Sequence, residues 1–185
     1  QLAVDPDLPA PSKTFAVRAP IKWNPSDMAV QEGETYSLVV EGDQYWFDGG
    51  IQVDAAGYEA YYDAVSACYI GLGRCRSHLK KKRRLLGSNW MSLLCSIGEY
   101  VIPAEEVTPG MEMNGKYLPL DESTLAETIF EVGLGVEFRA EYTGQLICFA
   151  NDAHSMYWNN DGTIYVTATR TSWPPTSEVY YQGLY

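Results

Sequence analysis

No run of about 18 apolar residues occurs anywhere in the chain, so no segment has the length of a membrane-spanning helix, and membrane insertion is not expected. Histidine is scarce, with two, His78 and His154. No G-x-S-x-G elbow, Walker A loop or H-E-x-x-H helix is present. Adjacent acids such as Glu105 and Glu106 would face opposite ways on a strand, so they make no acid–base pair. The expectation is a protein that is not an enzyme. Cysteine is also sparse, at four, and none has C-x-x-C spacing, which argues against zinc. Basic residues number 13 against 24 acidic ones, for a net charge of −11. Nucleic acid is therefore not an expected partner, because phosphate binding needs positive charge. A charged-then-apolar leader is missing too. A chain that begins at Gln1 with four cysteines fits a processed, exported product, so the expected localisation is secreted.

What charge there is lies unevenly. Seven of the 13 basic residues fall between Arg74 and Arg84, leaving the remainder more acidic still, which suits a divalent cation. The run Lys80–Arg84 reads as a dock for a sulfated or carboxylated glycan or an acidic neighbour. It reads equally as a solvated loop or a processing site. Four cysteines allow three pairings. Cys68–Cys75 would staple the loop CYIGLGRC, while Cys95 and Cys148 sit in strand-like segments and would bridge neighbouring strands or stay as buried thiols.

Strand signals dominate. Runs at Thr14–Ala19, Thr35–Val40, Ser92–Ile97, Gly135–Glu141, Gln145–Ala150 and Thr163–Arg170 are separated by Gly, Asn and Asp clusters. Val136, Phe138 and Ala140 share one face of their run, opposite Glu137, Arg139 and Glu141. Ile164, Val166 and Ala168 likewise share a face. This period of two is that of a half-buried antiparallel strand. Helical signals are confined to Tyr58–Ser66 and Ser123–Phe130. The expected fold is all-β: a single β-sandwich of jelly-roll type with loop insertions. Residues 1–13, with three prolines, read as an extended N-terminal arm, 14–172 as the sandwich, and 173–185 as an extended C-terminal tail.

The segment from Phe149 to Val166 connects two strong strands and packs Asn151, Asp152, Asn159, Asn160 and Asp161 into eleven positions. Calcium takes six to eight oxygens from carboxylates, amides and carbonyls, and this loop supplies all three kinds. It is no EF-hand, since the D-x-[DN]-x-[DN]-G spacing is absent. Asn and Asp also make turns without binding anything. Gly162 lets the chain turn before the next strand.

Asn151-Asp152, six residues, Asn159-Asn160, one residue, Gly162 resembles the calcium loop of the galactophilic lectin A family, the PA-I-like, calcium-dependent galactose-binding lectins. Glu32-Gly33-Glu34 before Thr35–Val40, then Gly42 and Trp46, resemble that family's early strand and glycine–tryptophan turn. Leu93-Leu94-Cys95-Ser96-Ile97-Gly98 resembles its central strand. These segments keep the family's order from Thr14 to Arg170. The resemblance implies a galactose-binding-domain-like sandwich and a Ca2+ site. Its ligands would be the side chains of Asp152, Asn159 and Asn160 with a carbonyl at Met156 and another at the turn of Asp48. It further implies a sugar contacting the calcium and Asp152, Ala153, Asn159 and Asn160, with His78 matching a middle-loop histidine by count. Departures cluster on the sugar side. His154 stands where proline is expected, Trp158 replaces glycine, and Lys81 replaces glutamine. A sugar's apolar face would stack on Trp158, or Trp158 would close the site. Segments 55–75 and 99–127 are additional. The resemblance thus implies calcium more directly than galactose.

The expectation for function is an extracellular, calcium-dependent carbohydrate-binding domain. Its glycan would be galactose-type or acidic, and it would work as a homo-oligomer or assembly because weak single sites gain from multivalency. The alternative is a structural subunit of an extracellular filament or coat that keeps the lectin fold. The basic run, arm and tail would serve its open-ended contacts.

Overall fold

Two antiparallel sheets form the described part of the protein, and alternating side chains from both fill the space between them. A computed structural model describes residues 12–59, 83–98 and 127–172. One sheet holds β1 (Ser12–Arg18), β3 (Thr35–Val40), β4 (Trp46–Asp48), β5 (Ile51–Val53), β8 (Gly135–Arg139) and β10 (Asn160–Ser172). The long strand β10 is its centre: it pairs with β1, with β3 and, through its first three residues, with β4. The second sheet runs β2 (Asn24–Val30), β9 (Gly144–Ala150), β6 (Leu93–Gly98), β7 (Phe130–Glu131). The all-β sandwich expected from the period-2 runs is therefore what the chain forms. No helix among the described residues is long and apolar enough to cross a membrane.

The core between the sheets is built from every second residue. Val17 on β1, Leu38 on β3, and Ile164, Val166 and Ala168 on β10 meet Leu93 and Cys95 on β6 and Leu146 and Cys148 on β9. Burying each aliphatic side chain of this kind favours the fold by roughly 1.5–3 kcal/mol. Cys95 and Cys148 face each other across β6 and β9 with Cα atoms 4.0 Å apart, and they are disulfide-bonded. The bridge fixes one of the pairings left open by the sequence. Cys68 and Cys75 lie outside the described residues.

The second sheet is covered on its other face as well. Leu94, Ile147 and Phe149 pack there with Trp23, flanked by Leu85 and Ile129. This explains why LLCSI is apolar without alternation: both faces of β6 are buried. Arg84 lies over the Trp23 ring at 3.8 Å and over Phe149 at 4.4 Å. The end of the basic run is thus part of the packing rather than a solvated patch. Arg83 likewise donates to the carbonyls of Ser88 and Leu86 and lies 5.1 Å from the Trp90 ring. Lys80, Lys81 and Lys82 lie outside the described residues.

β2 was not visible in the sequence because Pro25 and Asp27 interrupt it. Its pairing with β9 shifts register between Pro25 and Ala29, and Asp27 takes φ 53° inside the irregularity. Of the helical candidates, Phe130 lies in β7, and Tyr58 forms an isolated bridge with Trp90. Residues 60–66 and 123–126 of these candidates lie outside the described residues, as do most of the expected arm (1–11) and all of the tail (173–185).

Candidate functional site

The loop between β9 and β10 runs from Asn151 to a single 3-10 turn at Tyr157–Asn159, and β10 then starts at Asn160. The expected loop is therefore shorter than the span from Phe149 to Val166 suggests. Its asparagine pair straddles a turn and the first residue of a strand. That placement fixes Asn160 directly opposite Asp48 on β4. Beyond the turn, Gly49 N–H donates to the Asn159 carbonyl at 3.0 Å, closing the two segments on each other. Gly162 has φ 93°, and a Cβ there would lie 2.9 Å from Trp46 Cα, so both the conformation and the close approach of β4 require glycine.

Four of the expected ligand residues come together here in two pairs, Asp48 through its carboxylate rather than through the backbone carbonyl expected at its turn. Asn159 Nδ2 donates to Asp48 Oδ1 at 2.5 Å, and Asn160 Nδ2 donates to Asp152 Oδ2 at 3.0 Å. Asp48 is 5% exposed, Asp152 2% and Asn160 6%. The second oxygen of Asp48 accepts the Tyr58 hydroxyl at 2.5 Å, and Asp152 Oδ1 accepts the Ala153 N–H at 2.6 Å. The amide oxygens are different. Asn159 Oδ1 and Asn160 Oδ1 are both buried with no hydrogen-bond partner. A buried polar atom without a partner costs about 1–3 kcal/mol, and two in successive residues call for an explanation.

A half-turn about the last side-chain bond exchanges an amide's oxygen and nitrogen. With both amides turned, two amide oxygens would face the two carboxylates. In each pair an amide oxygen would then face a carboxylate oxygen, and the two repel unless a cation lies between them. Oxygen-only donors in a buried set suit a hard cation of the calcium type. Among the described residues, no three His, Cys, Asp or Glu side chains group as a metal cluster. The present set has two acids and takes its other oxygens from amides. Met156 stands at the head of the 3-10 turn. Its carbonyl accepts the Asn159 N–H at 3.1 Å, and a carbonyl keeps a second lone pair.

The other expected contacts are spread around this set. Trp158 is 75% exposed, an open indole face one residue before Asn159. Ala153 is fully buried and bridges to Arg83, so its backbone, not its methyl group, borders the loop. His78 lies outside the described residues. Asn151, counted with the polar loop residues, is instead a fully buried tie. Its Nδ2 donates to the carbonyls of Leu85 at 2.9 Å and Asn89 at 2.8 Å, and its Oδ1 accepts the Leu85 N–H at 3.1 Å. Tyr157 anchors the loop from below: its hydroxyl donates to the Ala150 carbonyl, and burial pushes its ionisation well above the ordinary tyrosine range. Two clefts, one beside Phe130 and Phe138 and one beside Tyr36 and Arg170, contain none of these residues.

Sequence reasoning missed Lys22. It follows Ala19, whose carbonyl lies 3.5 Å from Asn160 Nδ2, and its own Nζ reaches His154 Nε2 at 3.0 Å. Nothing in the one-dimensional pattern links positions 22 and 154. The clue was an asparagine at a proline-flanked turn: Asn24 ties Arg18, Ile21 and Cys148 together and so fixes the β1–β2 turn that carries Lys22.

No family model matches the sequence, and no curated protein matches it. Among solved structures, the chain is similar to one described as "EclA N-terminal domain; PllA-like lectin". The identity is 15% and the TM-score 0.47, over 85% of this chain and 95% of that one. A likeness at that level carries no weight for function.

Proposed function

We propose that this chain is a calcium-dependent carbohydrate-binding module, secreted, and without catalytic activity. One observation supports the reading above others: two buried amide oxygens, Asn159 Oδ1 and Asn160 Oδ1, have no hydrogen-bond partner, and they belong to amides whose nitrogens donate to the buried carboxylates of Asp48 and Asp152. Asp48, Asp152, Asn159 and Asn160, with the Met156 carbonyl, would hold the ion. A bound calcium ion would supply a positive centre that sugar hydroxyls can approach in place of water. The chain's own residues do the rest. The asparagines and aspartates orient hydroxyls by hydrogen bonds, and Trp158 offers an apolar face for the C–H side of a ring. A galactose-type glycan is the favoured ligand, and several copies would act together to raise avidity.

The scaffold alternative drew on a surface run of basic residues. Arg83 and Arg84 are engaged in packing and turn contacts, so that run is shorter as a surface than it looked, and the binding reading is preferred. Calorimetric titration tests it, with calcium added to the chelated full chain and galactose to the loaded form. The expected result is calcium uptake that Asp152→Ala abolishes, then a sugar heat that requires calcium. Calcium uptake unchanged by Asp152→Ala would remove the loop from the account.

A further inference from the structure

We propose that the chain forms a two-fold dimer by antiparallel pairing of the outer edge of β8 with β8 of a second copy, in the register that sets Glu137 against Arg139. Among the described residues β8 is paired on one side only, with β3, and so ends its sheet. Its neighbours fix the direction of its backbone groups. The Val40 N–H donates to the Leu134 carbonyl at 3.0 Å, and the Ala140 N–H donates to the Glu34 carbonyl at 2.8 Å. Bonded positions alternate along an antiparallel ladder. The even-numbered residues of this stretch therefore turn N–H and C=O toward β3, and Gly135, Glu137 and Arg139 turn theirs away from it. Such a row is a template for another strand.

The side chains select which strand. Glu137 and Arg139 are both exposed and share one face of β8. A single charge blunts an edge. An acid and a base two residues apart do the reverse when the strand meets its own copy antiparallel. With the two-fold axis at Phe138, Glu137 of each copy stands opposite Arg139 of the other as a hydrogen-bonded pair, and opposite charges so placed attract. Moving the axis to Glu137 sets that acid against itself, so charge picks the register. Arg139 uses one N–H on the Gly33 carbonyl at 3.1 Å, and a guanidinium has others to give. On the other face the axis brings Phe138 against Phe138, beside the cleft that this ring lines with Phe130, Val136 and Tyr142. The same register carries Leu134, 54% exposed, toward Tyr142 of the second copy, 48% exposed. The contact is self-complementary, as a closed dimer requires.

The other edges are poorer templates. β2 is interrupted by Pro25 and by Asp27 at φ 53°. β5 has three residues and β7 two. On β1, the Arg18 N–H donates to Asn24 Oδ1 at 2.9 Å and the Arg18 carbonyl accepts from Asn24 Nδ2 at 3.2 Å, so a side chain already occupies that end. The sheet order β5-β4-β10-β3-β8 sets β4, which carries Asp48, apart from β8 by two strands. Joining two copies through β8 thus gives one particle with its two candidate calcium loops held apart, the arrangement that multivalent binding uses.

The test is sedimentation velocity on the full chain over a range of concentrations, in chelator and without sugar, so that it is independent of the calcium reading. Circular dichroism checks that each variant is folded. The wild type is expected to form a reversible dimer. Glu137→Arg alone and Arg139→Glu alone each set like charges against one another and should raise the dissociation constant roughly tenfold or more. An equimolar mixture of the two single variants restores opposite charges across the axis and should recover the dimer, as should the double exchange Glu137→Arg with Arg139→Glu. A wild type that stays monomeric up to about 1 mM overturns the proposal. So does a dimer indifferent to both single variants, or a loss that neither the mixture nor the double exchange restores. A charge-dependent dimer in a protein that takes up no calcium supports the proposal and removes the calcium reading, so the two failures are distinct.

Discussion

Replacing Asn151 by Asp exchanges a donor for an acceptor at a fully buried point, and the cost is calculable. The Asn151 amide gives its two hydrogens to the carbonyls of Leu85 and Asn89 at 2.9 and 2.8 Å, while the Ser88 carbonyl lies 3.4 Å away. A protonated carboxyl has one hydrogen to give, so one carbonyl is left facing an oxygen, at about 1–3 kcal/mol. An ionised carboxyl has none, and three carbonyl oxygens would surround a buried negative charge. The substituted group therefore stays protonated in the fold, with its pKa raised above the unfolded value of about 3.9. Below that pH both states hold the proton and only the hydrogen-bond loss is felt. Above it the unfolded chain ionises and the fold does not, so stability falls by about 1.4 kcal/mol per pH unit. Between pH 4 and pH 7 the additional loss is about 4 kcal/mol, most of a typical domain's stability. Asn151→Ala leaves orphaned groups too, at about 3 kcal/mol, but adds no pH dependence of its own. Urea unfolding of the wild type and both variants at pH 4.5 and 7 measures this. Asn151→Asp with the wild-type pH profile would refute the placement of this side chain and, with it, the anchoring of the loop.

Gly57 has φ 70°, and a Cβ there would fall against the Trp90 carbonyl oxygen and 2.5 Å from Ser92 N. Gly57→Ala should therefore cost more than about 2 kcal/mol in thermal or urea unfolding and loosen the Tyr58 contact to Asp48. Reducing the Cys95–Cys148 bond, which spans 53 residues of sequence, should lower stability by about 4 kcal/mol, read as a shift in urea midpoint with and without reductant. Tyr36 is pushed up to about 12 by burial and by its hydrogen bond to Glu34. Its neutral form is held in the fold while the unfolded chain ionises near 10, so stability should fall as pH rises from about 10 to about 12. Tyr36→Phe should reduce that slope in unfolding measured by circular dichroism.

The two-layer fold was legible wherever one face of a strand is wet. Ile164, Val166 and Ala168 alternate in the sequence and are all fully buried, and the run at Thr35–Val40 is β3 residue for residue. It was illegible where tertiary contacts override local chemistry. Asn160-Asp161-Gly162 reads as a turn, yet it opens β10, because pairing with β4 satisfies its backbone. Pro25 hides β2, since a register shift absorbs it. β4 and β5 have three residues each, too few to show a period. Within the site, the resemblance implied Asp152, Asn159 and Asn160 as ligands, and it alone pointed to the turn at Asp48. The reach of Asn159 to Asp48, 111 residues away, depends on strand register that no local pattern encodes. The basic run misled for a similar reason: charge along a sequence does not tell a solvated arginine from one stacked on Trp23. Asn151 misled because a buried amide that ties carbonyls has the same letter as one in an open turn.

A crystal structure of the full chain grown in calcium, with anomalous data collected to locate the ion, tests the central claim most directly. The account predicts one ion about 2.3–2.6 Å from Asn159 Oδ1, Asn160 Oδ1 and a carboxylate oxygen of Asp152, with both amides turned toward it. Both amide oxygens hydrogen-bonded to water, with no ion between Asp48 and Asp152, would contradict it.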